Sequence, residues 1–308
     1  MLRLLLRLSL RTWLMGGGVV LLLVSGLSVM LERDARLALR DVGAMDGAVT
    51  TLRDGSDLAG LDGALVHVAG RADAGAPLSD PAIGVAGDYL RIVRDVDMYQ
   101  WRAVRRVDDD ALRKYNYSKV WSSTPQRLPV IDLSVVGMAK QRENPDSFPI
   151  RSWTTDAPAV TVAGVPLSPA LARRVPTSRD ITHDPAIAEA AREIVGRPLE
   201  LKDGFLQTAA AEPEIGDIRL RVHVTDPQDV TVLGEIDGGA IQSLPVGLSD
   251  RPTLRTGLHT VEAMLAMETE DLRRNMREAR IAGLVCAVAG IGLLVLGWRR
   301  GRRPVTPA

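Results

Sequence analysis

Residues 12–31 read TWLMGGGVVLLLVSGLSVML, from Thr12 to Leu31, with no Asp, Glu, Lys or Arg between Arg11 and Glu32. At a rise of ~1.5 Å per residue such a helix covers the ~30 Å hydrocarbon core of a bilayer, and helices buried in soluble domains are seldom so uniformly apolar. A second run, Ile281 to Trp298, is equally free of charge between Arg280 and Arg299. The expected fold class is an integral membrane protein with two transmembrane α-helices flanking a large β-rich α+β extracytoplasmic domain. Its segments are a basic cytoplasmic N-terminus (1–11), a span (12–31), the external domain (32–280), a second span (281–298) and a basic cytoplasmic tail (299–308).

The flanks set the expected orientation, because basic residues in short segments stay on the cytoplasmic side. Arg3, Arg7 and Arg11 precede the first span, and Arg299, Arg300, Arg302 and Arg303 follow the second, with no acid in either tail. Both termini are therefore expected in the cytoplasm. Arg273, Arg274, Arg277 and Arg280 also crowd the outer end of the second span, interleaved with Glu268, Glu270, Asp271 and Glu278. A cleaved signal peptide is the rival reading of the first span. Against it, the apolar run exceeds the ~7–15 residues of a signal core and no small-x-small site precedes Glu32. Residues 1–11 either lie on the membrane surface or continue the first span, and Trp13 and Trp298 suit the headgroup layer.

Gly283, Ala287 and Gly290 fall on one face of the second span, a stripe that lets another helix approach closely. Its partner is either the first span, through Gly18 and Ser25, or a copy of itself. Outside the membrane, two juxtamembrane helices are expected, at about 32–42 and 260–280. The second, capped by Thr260, carries Val261, Leu265, Leu272, Met276 and Ala279 at helical spacing and runs on into the span.

Between them the signal is mostly β. Leu65 to Val68 reads as a strand, and Pro77 to Pro81 with Gly84 as a turn. Tyr89 to Val107 alternates, Asp108 to Asp110 reads as a turn, and Tyr115 to Trp121 alternates again, which predicts a hairpin. It would hold all four tyrosines and two of the five tryptophans. Packing of these rings across the strands in the core is the first reading. A peptide- or lipid-binding face built from Tyr99, Trp101, Tyr117 and Trp121 is the second. Residues 144–158 read as irregular and 160–167 as alternating. Ser168-Pro169 and Asp184-Pro185 open short helices by a cap followed by proline, the second ending at Gly196. Strands follow at 217–224, 230–235 and 240–245.

Composition excludes several function classes. The chain balances 38 basic against 38 acidic residues, so it carries no nucleic-acid footprint. Cys286 is the one cysteine and lies in the second span, so the external domain holds no disulfide. His67, His183, His223 and His259 are scattered without metal-ligand spacing, and Ser118 and Lys119, adjacent on a strand, point to opposite faces. No GxSxG, P-loop or dinucleotide fingerprint occurs. No catalytic residue, cofactor or metal is expected.

The segments Gly63 to Gly70, Leu78 to Pro81 with Gly84-Val85, Met98 to Trp101, Tyr115 to Ser118 with Trp121-Ser122, Asn144-Pro145 with Phe148, Val160 to Ser168, Pro213 to Arg219 and Gly257 to Met264 occur in this order. In them the chain resembles the LUMA family, also called the transmembrane protein forty-three family. The resemblance implies a membrane-tethered luminal or periplasmic domain, and in animals a self-associating scaffold of the endoplasmic reticulum and inner nuclear membrane linked to emerin and lamins. It also implies several spans after the domain, whereas here one span and ten residues follow. Arginine far outnumbers lysine, the usage of a GC-rich bacterial genome, which would put the protein in the inner membrane. The expected function is a membrane scaffold or organising protein without catalysis. An envelope hydrolase with a dispersed site and an oligomeric pore or transport accessory are the alternatives. Expected partners are membrane lipid, a further copy of the chain and other membrane proteins, with no nucleic acid.

Overall fold

The computed structural model describes residues 10–301 apart from 46, 54, 56, 57, 59, 106–114, 130–141, 247, 248 and 252. The surface-lying N-terminal segment and the Asp108–Asp110 turn therefore fall largely or wholly outside the described residues. Two long helices frame the chain: α1 (Leu10–Met45) and α4 (Val261–Gly301). Each contains a stretch long and apolar enough to cross a membrane. The lipid-facing side of both is a sheath of exposed aliphatics such as Leu23, Val29, Leu284 and Val288.

Both helices continue unbroken out of the apolar stretch. Thr260 begins α4, its Oγ1 accepting from the Ala263 amide at 3.3 Å. α1 passes straight through Gly43, where helix-forming residues give out in the sequence, and ends at Met45. Packing overrides the glycine: Ala38, Val42 and Met45 are buried against Met264, Leu265, Leu272, Leu233 and Leu244.

Between the helices lie two seven-stranded sheets. The first is built on β14 (Gln228–Asp237), antiparallel to β2 (Leu65–Ala74) from Gln228↔Ala72 to Glu235↔Leu65. β15 (Ala240–Gln242), β8 (Val160–Val162), β9 (Val165–Pro166), β1 (Thr50–Leu52) and β18 (Thr253–Thr256) complete it. One face carries Val66, Val68, Val230 and Val232 into a core closed by Leu167, Val175 and Leu171 of the short helix α2 (Pro169–Ala172). Leu233, facing the other way, meets the α1/α4 pair.

The second sheet has the order β11 (Leu199–Lys202), β12 (Phe205–Thr208), β13 (Ile218–Thr225), β5 (Arg91–Arg105), β6 (Tyr115–Ser122), with β7 (Trp153–Asp156) and β10 (Arg179–Asp180) beside β5 and β13. Ile92, Val96 and Met98 of β5 and Leu220, Val222 and Val224 of β13 form its core with Ile187 and Ala191 of α3 (Pro185–Val195). Asp184 caps α3 and Gly196 ends it in the left-handed region, as the sequence indicates. Ala157 packs against both cores, and Leu90, whose backbone donates to Thr225 O and accepts from Ala157 N at the end of the second sheet, puts its side chain into the core of the first.

Several segments differ from the sequence reading. Leu78–Asp80 is strand β3, paired with β4 (Val85–Gly87), so only its end is a turn. Residues 160–167 fold back as the hairpin β8–β9 across Ala163-Gly164, both at positive φ. Trp153–Asp156 is strand rather than irregular.

Candidate interaction surface

The predicted hairpin forms over 91–105 and 115–122, with Tyr99 opposite Trp121, Trp101 opposite Lys119 and Ala103 opposite Tyr117. Side chains alternate across a strand, so Met98 and Gln100 take the inward positions while Tyr99 and Trp101 face outward. The four aromatic residues singled out in the sequence thus share one half-exposed side of the sheet. They do not enter the core, whose hydrophobic cluster stops at Met98, which corrects the core part of the packing reading, while its cross-strand part holds in the Tyr99–Trp121 pair.

A ladder of rings and cations covers this side. Tyr99 and Trp121 approach to 5.1 Å between ring centroids. The Arg219 guanidinium lies between Trp121 at 4.8 Å and Phe205 at 4.5 Å, and is held there by two hydrogen bonds to Asp97 Oδ2. Arg221 lies 4.1 Å from Phe205. Lys119 and Arg142 sit over Trp101 at 5.3 and 5.0 Å, and Arg142 also covers Tyr117 at 4.6 Å. Each such contact contributes ~0.5–1 kcal/mol at an exposed site. Tyr115 packs beside Tyr117. The arrangement is a stiff, cation-studded surface with its rings already engaged.

Two amides that sequence reasoning passed over hold the hairpin in place. Gln100, fully buried, accepts from Gln126 N at 2.8 Å and donates to Thr124 O at 3.1 Å. Asn144 accepts from Trp101 N at 2.7 Å and donates to Trp101 O and Gln126 O, each at 2.8 Å, so its side chain stands in for a strand neighbour. Their signal was present: both lie in the short motifs that carry the resemblance. Asp80 forms a buried ion pair with Arg94, whose Nε donates to Arg151 O. Asp217, buried, accepts from Glu214 N and pairs with Arg197 at 2.6 Å. Each of these acids fixes a turn next to the hairpin.

The domain is tied to α4 and to the segment leading into it at two levels, and the two helices are tied to each other at a third. Thr231 Oγ1 donates to Gly257 O and accepts from His259 N, while a ring nitrogen of buried His67 bonds His259 O at 3.0 Å. Lower down, Arg255 binds Glu268 at 2.8 Å and Asp271 at 2.6 Å. Burial alone would lower its pKa, but the two acids outweigh it and hold the guanidinium above its ordinary value. At the membrane edge Glu32 accepts from Arg280 at 2.7 Å and Arg36 at 2.5 Å, and those hydrogen bonds, Arg280's first, keep its carboxyl below the usual range.

Within the apolar stretches the two helices touch through small residues. A Cβ at Gly290 would lie 2.9 Å from Gly18 O, and one at Gly283 2.9 Å from Ser28 Cβ. Ala287, between them, is half-buried, and Gly18 with Ser25 and Ser28 forms the facing strip. The structure thus places Gly283 and Gly290 against α1 of the same chain. Among the described residues no group of three or more His, Cys, Asp or Glu comes together.

A family model described as Transmembrane protein 43 matches residues 98–299. The chain is 26% identical over 193 residues to a transmembrane protein 43 homolog of Drosophila melanogaster, covering 59% of this chain and 49% of the relative. It is 27% identical over 171 residues to transmembrane protein 43 of Pongo abelii and 26% to that of Homo sapiens, covering 52% of this chain and 39% of each relative. The chain thus spans about half the length, or less, of these curated relatives. No solved structure matches it.

Proposed function

The chain belongs to the transmembrane protein 43 family, and from that membership we propose that it is a membrane-anchored scaffold whose β-rich domain mediates self-association or contact with other membrane proteins, without catalysis. The observation that carries the reading is the continuity of both ends of the domain with helices that enter the membrane, locked to the first sheet through Thr231, His67 and Arg255 and to each other through Glu32. A domain fixed this way presents a constant surface at a constant attitude to the bilayer. The ladder of Tyr99, Trp101, Tyr117 and Trp121 with its four cations is the surface we assign to partner contact. The flanking arginines orient both termini to the cytoplasm. The domain then lies in the periplasm if the protein is bacterial, or in the lumen of the endoplasmic reticulum and nuclear envelope if it is eukaryotic.

The test is the mass of the complex extracted from native membranes in mild detergent, with co-purifying proteins identified. A defined homo-oligomer or a stoichiometric partner is expected, weakened by charge-reversing K119E/R142E. A lone monomer carrying no partner refutes the scaffold reading.

A further inference from the structure

We propose that the outer end of α4 is a binding site for an anionic phospholipid. Arg273, Arg277 and Arg280 follow one another at spacings of four and three, so they descend a single face of the helix, and Leu284 continues that face into the apolar stretch. At ~1.5 Å per residue Arg277 stands ~6 Å and Arg280 ~1.5 Å above Ile281, the first apolar residue. The headgroup layer is ~5–7 Å deep on each side of a bilayer, so Arg277 and Arg280 emerge within it, and Arg273, ~12 Å up, stands above it within the length of its long side chain.

Their charges are only partly offset by the protein. Arg273 makes no ion pair among the described residues, and Arg277 reaches Glu270 only at 3.7 Å. Arg280 divides one carboxylate, Glu32, with Arg36, leaving that trio with a net positive charge. The heads of Arg277 and Arg280 are more than half exposed.

A hollow of about 340 Å³, lined by Glu270, Arg273, Met276 and Arg277, lies beside these cations. Below it Leu284 leads into the lipid-facing sheath. Cations stacked directly above an apolar, lipid-facing surface match a phosphate joined to a glycerol and an acyl chain. The bilayer that holds the helices supplies that occupant at high local concentration. A basic cluster on the outer end of a span, where positive charge is normally scarce, also gains most from such a counter-anion.

This inference does not depend on the scaffold reading. The full chain, purified in neutral detergent, is titrated with dioleoyl phosphatidylglycerol or dioleoyl phosphatidylcholine and examined by native mass spectrometry. Retained lipid tests the site, while the protein mass tests self-association separately. Phosphatidylglycerol should be retained in preference to phosphatidylcholine. R273Q/R277Q should weaken its retention about 30-fold, since each basic residue beside an anionic surface is worth about 1 kcal/mol, or about fivefold. R71Q/R192Q, altering exposed arginines of the β-rich domain, should leave it unchanged. Equal retention of the two lipids by the unaltered protein overturns the proposal whether or not the variant folds. So does undiminished retention by R273Q/R277Q, or release of the lipid by inorganic phosphate at matched ionic strength, which would leave no part for the acyl chains. A doubled protein mass without lipid would assign the basic face to a second copy and equally overturn it.

Discussion

Replacing Gly290 by Ile should separate the two membrane helices, and Gly292 on the same helix supplies the control. A Cβ built at Gly290 lies 2.9 Å from Gly18 O and 3.2 Å from both Leu21 Cβ and Leu22 Cγ, against the 3.4 Å at which ordinary contact begins. The oxygen belongs to helical backbone and cannot swing aside, so α1 must move by at least half an ångström, and by more once the Ile branches are added. Overpacking of this kind costs ~1–3 kcal/mol. Because apolar surface gains nothing by leaving lipid, close van der Waals contact is much of what holds such helices together, and the loss is not recovered elsewhere. A Cβ at Gly292 meets nothing within 4 Å. Full-length protein in mild detergent, titrated with dodecyl sulfate and followed by helical circular dichroism, should lose ~1–3 kcal/mol of stability on Gly290→Ile and almost none on Gly292→Ile. Equal losses from the two variants would refute the packing of Gly290 against Gly18.

Asp80→Ala leaves Arg94 charged and buried without its partner, and should destabilise the domain by ~3–5 kcal/mol in denaturant unfolding followed by tryptophan fluorescence. Acid should weaken the domain through its partly exposed pairs. Burial alone would raise the Asp156 pKa, but hydrogen bonds from Arg91 and Arg173 hold it below the usual carboxylate range, and Arg179 first, then Ser178, do the same for Asp226. A depressed folded-state pKa contributes stability that is complete above the unfolded value of about 4 and disappears as pH falls through the folded one. The thermal midpoint should therefore stay flat from neutral pH to about 5, then fall, with a shallower acid limb in Asp226→Asn.

Much of the fold was legible because it rests on local rules. Charge-free runs of bilayer length gave the spans. Ser168-Pro169 and Asp184-Pro185 gave helix starts, because a capping oxygen followed by a fixed φ leaves few alternatives. The β5–β6 hairpin followed from alternation. What escaped notice was weakly patterned or decided at long range. β11 and β12 are short, and β11 is mostly exposed, yet Asp203-Gly204 between them, both at positive φ, is a two-residue hairpin turn whose signal was available. The β8–β9 turn at Ala163-Gly164 was hidden because its residues continue the alternation of the strands around it. The side on which Tyr99 and Trp101 fall is set by α3 and β3–β4 covering the opposite one, which no local window contains. Gln100 and Asn144 act through backbone groups 18 or more residues away, so alternation could not assign them.

The same long-range bonds determine how motion passes between membrane and domain. α1 and α4 are single helices from the apolar stretch to the first sheet, so a displacement of either span reaches Met45 or Val261 without a hinge. At that point the segment entering α4 is joined to β14 through Thr231 and to β2 through His67, and α4 itself to β18 through Arg255. Tilting the domain on its helices would have to break these bonds together and also expose Leu233, Leu244 and Met264, each at most 2% accessible. Burying a side chain of that size is worth ~1.5–3 kcal/mol, which for three of them exceeds what a hydrogen bond or two could return. The domain and its helices therefore move as one body. The Tyr99–Trp121 ladder reaches that body through β5 and β13 and through Leu90, whose side chain sits in the core of the first sheet, and so keeps a fixed bearing on the membrane.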